Sequence, residues 1–279
     1  MKVSRGTFIA LISIPAAIYL LYLVLPLLSS VRMSFNSYSR RGGIRSDWSF
    51  DSYLDVLSDK FYLSAWLSTV ELAAVSAGIT TIVGSLAAYG IWRVGGRARA
   101  YLTILVVAPL MVSSVARAYG WIAAAGPTGL LPKVTEAIGL GPVSFLFNRT
   151  AVLVGFVHVF LPFVVMLVLA RLDSIKPNLL RAARNLGAGP IAATRRVVLP
   201  LAWPAMVSGF LLTFALTTGS FAIPAVLGGG RIRTITEQIV QEQIGTFDWP
   251  RAATLGALLS VLTLIGMLAS QRLVGGRKA

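Results

Sequence analysis

Long runs without a charged residue alternate along this chain with short segments rich in Lys and Arg. A helix that crosses a bilayer needs about 20 mostly apolar residues, because the hydrocarbon is roughly 30 Å thick and each residue rises about 1.5 Å. Charge-free runs near that length cover residues 6–31, 72–92, 100–116, 150–170, 197–230 and 252–271. Their pattern favours helices over a meander of strands. We therefore predict one domain over residues 1–279 with six membrane-spanning helices, near 7–30, 64–92, 101–123, 151–171, 203–225 and 252–272.

The composition supports a membrane protein and excludes several other classes. Apolar residues make up 56% of the 279, charged residues only 13%, and the mean hydropathy is +0.78. An ordinary soluble domain is about a quarter charged. The chain has no Cys and a single His, which excludes thiol chemistry and multi-histidine metal sites. We expect no catalytic residue, no metal and no bound cofactor in this chain.

The distribution of Lys and Arg predicts the orientation, because these residues resist translocation. With the N-terminus in the cytoplasm, the inside segments hold fourteen Lys and Arg against one acid, and the outside segments hold eleven against eight acids. Residues 93–100 and 172–202 carry most of this bias. We predict a multi-pass protein of the bacterial inner membrane with both termini in the cytoplasm. The first charge-free run has 26 residues, too many for the apolar part of a signal peptide, so we expect it to be retained as a helix.

The loop at 172–202, between the fourth and fifth predicted helices, has the pattern of two short helices joined by a glycine break. Pro177 and Pro190 suit the first turns of the two helices, and Gly187 lies at the break. The apolar stripe of the first helix consists of Leu179, Leu180, Ala183 and Leu186. Such a pair of helices with cationic flanks can dock on a protein or lie on anionic lipid.

The order of residues in this loop resembles the cytoplasmic loop of ABC importer permeases, whose pattern is Glu-Ala-Ala, a Gly four residues on, and an apolar-Leu-Pro ending. The resemblance implies an all-α integral membrane fold of the type I importer class, with a coupling helix between helices 4 and 5 that docks on a separate ATPase subunit. The residues assigned to the coupling loop are Leu179, Leu180, Arg181, Ala182, Ala183, Leu186, Gly187, Leu199 and Pro200. Arg181 stands where the family has Glu, which implies an altered ATPase surface or an acid from a partner permease.

Two other segments are similar to permeases of the polyamine (spermidine/putrescine) type, whose relatives also carry opines and aminophosphonates. They are Arg117-Ala-Tyr119-Gly-Trp121, and the stretch that includes Leu227-Gly-Gly229 and Asp248-Trp-Pro250. This resemblance implies a binding-protein-dependent importer of a small solute. Its expected partners are an ATPase dimer that binds the ATP, a second and non-identical permease, a periplasmic or lipid-anchored binding protein and membrane lipid, with no nucleic acid.

Four residues are candidates for the translocation path: Glu71, Arg117, Tyr119 and Trp121. Glu71 is the only acid within a predicted span, where an ionised group must face protein or water. It either offers a counter-charge to a cationic solute, pairs with Arg117 or lies near the headgroups. The other three either line an outer vestibule or form an aromatic belt with a snorkelling Arg.

Two other classes of membrane protein fit this sequence less well than an importer does. An ion-coupled secondary transporter tends to place acids or broken helices at the midplane of two internal repeats, and this chain has one intramembrane acid and no visible repeat. A membrane enzyme that acts on lipid needs clustered acids or a His/Ser/Asp set. The single His and the scattered acids of this chain disfavour that class. We therefore expect a transporter without catalytic residues, with ion coupling as the alternative to ATP.

Overall fold

The computed structural model describes residues 5–139 and 145–275, so the predicted cytoplasmic termini lie outside the described residues. It is helical apart from one small hairpin of strands β1 (Ser37–Ser39) and β2 (Gly43–Arg45). The helices are α1 (Arg5–Met33), α2 (Asp51–Ser58), α3 (Lys60–Arg93), α4 (Gly96–Val107), α5 (Ser114–Ala125), α6 (Leu130–Ala137), α7 (Arg149–Asp173), α8 (Pro177–Asn185), α9 (Pro190–Ala193), α10 (Leu199–Thr218), α11 (Ala222–Leu227), α12 (Ile235–Val240) and α13 (Trp249–Gly275).

Within the described residues, five helices are long and apolar enough to cross a membrane, and a bent pair makes a sixth if it counts as one span. The bent pair falls on the third predicted span and has an angle of 101°. Pro109 lies at the break, in the 3-10 turn Ala108–Met111, where it has no backbone N–H to continue α4. Ser113 then begins α5, because its hydroxyl accepts a hydrogen bond from the Ala116 backbone N–H.

The fifth predicted span also differs from the prediction at both of its ends. The helix begins earlier, at Leu199, and ends at Thr218. A short interruption separates it from α11, so residues 222–225 belong to a separate helix. Gly219 supplies the C-cap of α10. The charge-free run therefore contains one spanning helix and one short helix, which a count of apolar residues does not distinguish.

The chain divides into two compact units, and the first comprises Met1–Leu63 with Gln238–Ser260. In this unit Phe35 packs on three neighbouring rings at centroid distances of 5.3–5.5 Å. The hairpin is held by Asp47, whose carboxylate accepts hydrogen bonds from the backbone N–H and the hydroxyl of Ser37 at 2.7 and 2.6 Å. These hydrogen bonds lower the pKa of Asp47 below its ordinary value.

The second unit comprises Ser64–Glu237 with Val261–Ala279, and α7 supplies much of its core. One end of α7 packs with Ile223 and Leu227 of α11, and the other end packs with residues of α3 and α10. Two ion pairs mark the same two ends: Arg149 at the start of α7 contacts Glu71 of α3, and Asp173 at its end contacts Arg99 of α4.

Helices α3, α7 and α10 pack together at a seam of small residues on α3 and α10. The hydroxyls of Ser76 and Thr217 lie 3.3 Å apart. Eight residues further on α3 and eight residues back on α10, Gly84 and Gly209 both face Val164 of α7. This register is that of antiparallel helices. Thr80 and Thr213 are the residues halfway between, and both are fully buried.

Candidate functional site

The loop between α7 and α10 begins with α8, which has Pro177 in its first turn as predicted from the sequence. The helix ends at Asn185, and Gly187 just beyond its C-cap adopts a φ of +83° that disfavours any side chain. The Gly187 N–H donates to the Arg184 carbonyl at 2.9 Å, and the Ala188 N–H donates to the Ala183 carbonyl at 3.0 Å. This pair of bonds is a Schellman motif, so the glycine break is a defined turn between the two helices.

The second half of the loop is anchored on the helices of the second unit. After α9, residues Thr194–Val198 form a π-helical turn that leads into α10. The Thr194 hydroxyl is 2.7 Å from the Tyr89 hydroxyl of α3. The Arg171 guanidinium donates to the Leu201 carbonyl at 2.8 Å. One side of the loop is therefore fixed to three long helices.

The predicted apolar stripe divides into two groups with different surroundings. Leu180 and Ala183 are half-buried, and Leu180 packs against the core cluster that contains Leu172. Leu179 is exposed, and Leu186 is 88% exposed. The spacing of a helix places these residues near one another, but it does not reveal which of them the protein covers itself.

A second exposed apolar residue follows Leu186 by five positions, and it was not predicted from the sequence. Ile191, in α9, is 84% exposed. We call Leu186 and Ile191 the apolar tip, because the Schellman turn and Gly189 connect them. The sequence does contain a signal for this residue, because an isoleucine follows directly after Pro190 at the predicted start of the second short helix.

The other assigned residues of the loop lie on its surface. Arg181, Ala182 and Arg184 are exposed on α8, as are Leu199 and Pro200 at the start of α10. Arg181 forms no ion pair within the part of the chain that the structure describes. The position where the family pattern has Glu is thus a solvent-exposed cation.

Glu71, a candidate for the path, forms an ion pair with Arg149 and not with Arg117, which was one of the alternatives from the sequence. Both carboxylate oxygens accept from one guanidinium nitrogen of Arg149, at 2.7 and 2.8 Å. Ser68 accepts from a second nitrogen at 3.3 Å. The side chains of the pair are about half exposed, at 56% for Glu71 and 48% for Arg149. Arg149 had been counted from the sequence only as a loop charge.

The other three candidates lie on α5, against the middle of α7. Arg117 donates to the Val159 carbonyl over a long 3.4 Å, and its Nε is buried without a partner in the described residues. The Trp121 indole N–H donates to Nδ1 of His158 at 3.2 Å. Tyr119 is 60% exposed. Arg117 and Trp121 therefore hold α5 against α7, while Tyr119 points away from the core.

The four candidates for the path do not converge on one point. Glu71 meets the first residue of α7, whereas Arg117 and Trp121 meet residues 158–159. At 1.5 Å per residue, these contacts are about 14 Å apart along the helix axis. The sequence grouped them by chemistry, and the register of α3 and α5 on α7 separates them.

A buried acidic cluster in the first unit was also missed, because Tyr62, which donates to Glu242, precedes it by 180 residues in the chain. Glu242 is only 6% exposed and accepts hydrogen bonds from Tyr62 and Thr246, both at 2.5 Å. Asp248 is 4% exposed, and burial raises its pKa. Arg251 lies 3.3 Å from Asp248.

Arg251 also reaches α2, a short helix with exposed acidic residues. Its guanidinium is 3.2 Å from the carboxylate of Asp55. Asp51 and Asp55 lie within α2, and Asp59 is its C-cap. One of its three acids is therefore used within the first unit, as the partner of an Arg that neutralises the buried Asp248.

The fold is that of an integral membrane permease, with long apolar helices and an anchored helical loop between α7 and α10. It resembles a bacterial ABC transporter involved in the import of the acidic polysaccharide alginate, with a TM-score of 0.83 and 20% identity over 99% of this chain and 97% of that chain. The alginate transporter in complex with an alginate pentasaccharide-bound periplasmic protein gives a TM-score of 0.82 and 19% identity over 96% and 94% of the two chains.

Sequence comparison defines the family. Residues 80–278 match the model of the binding-protein-dependent transport system inner membrane component. The spermidine/putrescine transport system permease protein PotB of Escherichia coli K12 is 26% identical over 244 residues, which are 87% of this chain and 88% of PotB. The chain belongs to the family of inner membrane components of binding-protein-dependent transport systems, and it is a permease of an ABC importer.

Proposed function

We propose that this permease passes a small solute from a binding protein to the cytoplasm, driven by ATP that a separate ATPase subunit binds and hydrolyses. The observation that carries the proposal is the apolar tip, whose two side chains are 88% and 84% exposed. The opposite side of the same loop is anchored through Thr194 and Leu201. Exposed apolar side chains on an anchored loop suit a protein contact that transmits motion to the helices.

The proposal places the loop and both termini in the cytoplasm, with ATP bound by an ATPase dimer and no cofactor in this chain. A second, non-identical permease completes the path, because six helices do not enclose one by themselves. A periplasmic or lipid-anchored binding protein supplies the solute. The similarity in fold to the alginate transporter, which was solved in complex with a periplasmic protein, supports this partner. Nucleic acid has no part in this scheme.

A polyamine is the first solute to test, with opines and aminophosphonates as alternatives. The similarity to PotB supports this choice. The alginate transporter, which has a similar fold, imports an acidic polysaccharide. Since polyamines and alginate have opposite charges, the fold does not discriminate between solutes. The binding protein sets much of the specificity in this scheme.

For the path, we propose that Glu71 and Tyr119 face the solute, with Glu71 acting as an ion pair with Arg149. The half-exposure of the pair and the 60% exposure of Tyr119 support this assignment. Arg117 and Trp121 position α5 through their contacts with α7. The alternative of an ion-coupled transporter is not favoured, because the family is one of binding-protein-dependent importers.

The experiment compares ATPase association and spermidine uptake in the reconstituted importer, with its ATPase, its second permease and its binding protein. The double variant Leu186→Asp/Ile191→Asp is expected to lose the ATPase while still inserting in the membrane. The matched control is Leu54→Asp on α2, where Leu54 is also an exposed leucine, at 65%. The control is expected to retain the ATPase.

The outcomes separate the two parts of the proposal. If the tip variant binds the ATPase and supports uptake like the wild type, the assignment of the coupling loop is wrong. If the wild type binds the ATPase but takes up no spermidine or putrescine, the solute assignment alone is wrong.

A further inference from the structure

The coupling loop carries an unbalanced positive charge around its apolar tip. Between Ser174 and Ala202 the sequence has five cations and no acid. Four of these cations are the exposed arginines Arg181, Arg184, Arg195 and Arg196, which we call the arginine ring. The acid just before the loop, Asp173, is already paired with Arg99 at 2.6 Å. Within the described residues, no acid neutralises the ring.

Docking of the tip would remove water from the neighbouring arginines. Leu186 lies two residues after Arg184, and Ile191 lies four residues before Arg195. A guanidinium that loses its water without gaining an anion is strongly destabilising, whereas a paired and hydrogen-bonded guanidinium is tolerated. A receiving surface that is merely apolar would therefore reject this loop.

We infer that the ATPase surface that receives the loop is an apolar cleft with Asp or Glu side chains around its rim. The cleft takes Leu186 and Ile191, and the rim carboxylates form ion pairs with the arginine ring. An Arg guanidinium suits this role, since its planar fork pairs with a carboxylate through two hydrogen bonds. The inference rests on the proposed function, because it describes the chemistry of the ATPase at the proposed docking site.

Anionic lipid has the same charge as such a rim, but the geometry favours a protein. Helices that lie on a membrane present a continuous apolar face along their length. On α8 this face is interrupted, because Leu180 and Ala183 are half-buried against the protein. The exposed apolar side chains instead form a tip of two residues on either side of a glycine turn, a shape that suits a cleft.

The test measures the affinity of the ATPase for the permease complex in nanodiscs of neutral phosphatidylcholine. Arg181→Glu/Arg184→Glu is expected to weaken binding by about tenfold or more, and the wild-type affinity is expected to fall as salt rises. The control, Arg40→Glu/Arg41→Glu, reverses two exposed cations at the hairpin turn and should leave the affinity unchanged. Replacing single acids of the ATPase by Lys should identify one that restores binding of the reversed variant.

Several results would overturn the inference. Unchanged or tighter binding of the Arg181→Glu/Arg184→Glu variant would show that the rim carries no acids. An effect of the reversal that appears only when anionic lipid is added would assign the ring to the membrane. The variant Leu186→Asp/Ile191→Asp separates the acidic rim from the proposed function. If this variant abolishes ATPase binding while Arg181→Glu/Arg184→Glu does not, the docking site is supported and only the acidic rim is wrong.

Discussion

At the scale of single residues, the charges of this chain acquire their meaning from partners that are distant in the sequence. Glu71 stands out in the sequence as an acid within a span, yet its partner is Arg149, 78 residues away. Asp248 is matched by Arg251, and Arg251 reaches back to Asp55. Local patterns identify ionisable residues that need a partner, but the partner depends on which helices pack together.

We predict that neutralising the pair, as Glu71→Gln/Arg149→Gln, lowers the apparent affinity for the transported solute. The free energy of unfolding is expected to change by less than about 1 kcal/mol, because both side chains are half exposed to solvent. Uptake rates at several solute concentrations and the melting temperature of the purified permease give the two values. Uptake identical to that of the wild type would exclude the pair from the path.

At the scale of helices, the close approach of α3 and α10 to α7 depends on glycine. A Cβ atom on Gly84 would lie 2.9 Å from Cγ1 of Val164, and one on Gly209 would lie 3.2 Å from the same atom. Gly78 is on the same helix α3, and a Cβ there would meet no atom within 4 Å. Gly78 and Gly84 look alike in the sequence, and only the packing distinguishes them.

We therefore predict that Gly84→Leu destabilises the protein by about 1–3 kcal/mol, as overpacked cores do. Gly78→Leu, the matched control, should have a much smaller effect. Thermal unfolding of both variants in detergent measures the difference. Adding Val164→Ala to Gly84→Leu should recover part of the loss, since it removes the methyl groups that the new side chain meets. Equal melting temperatures for the Gly78→Leu and Gly84→Leu variants would contradict the tight packing of Gly84 against Val164.

The bent pair of α4 and α5 shows why a prediction from apolar runs is incomplete at this scale. The third charge-free run was identified correctly as membrane-like sequence, and Pro109 was visible within it. A proline in a membrane helix is either accommodated with a kink or ends the helix, depending on whether neighbours satisfy the freed carbonyls. Here the helix ends, and Ser113 starts another one at a steep angle.

At the scale of the whole second unit, two ion pairs show the direction in which the helices run. Glu71–Arg149 joins the earlier part of α3 to the start of α7, and Arg99–Asp173 joins the start of α4 to the end of α7. Helices α3 and α7 therefore run in the same direction. The segment between them must return the chain from one end of the unit to the other, so the bent pair serves as a crossing.

The topology predicted from the distribution of Lys and Arg puts residues 51–58 outside and the loop at 172–202 in the cytoplasm. Because the natural chain has no Cys, single variants Leu54→Cys and Leu186→Cys report each side cleanly. In intact spheroplasts an impermeant maleimide should label Leu54→Cys alone, and after permeabilisation it should label both. Labelling of Leu186→Cys from outside would exclude a cytoplasmic ATPase at this loop and refute the orientation.

The sequence by itself determined the membrane class, the approximate positions of the spans and the loop that resembles the family's coupling loop. These features depend on local composition, since a charge-free run and a proline–glycine pattern act through nearby residues. The tertiary structure decided which leucines of the loop are exposed, which arginine pairs with Glu71 and where the third span breaks. Each of these depends on the contact of helices that are distant in the chain, where burial and pairing are set by packing.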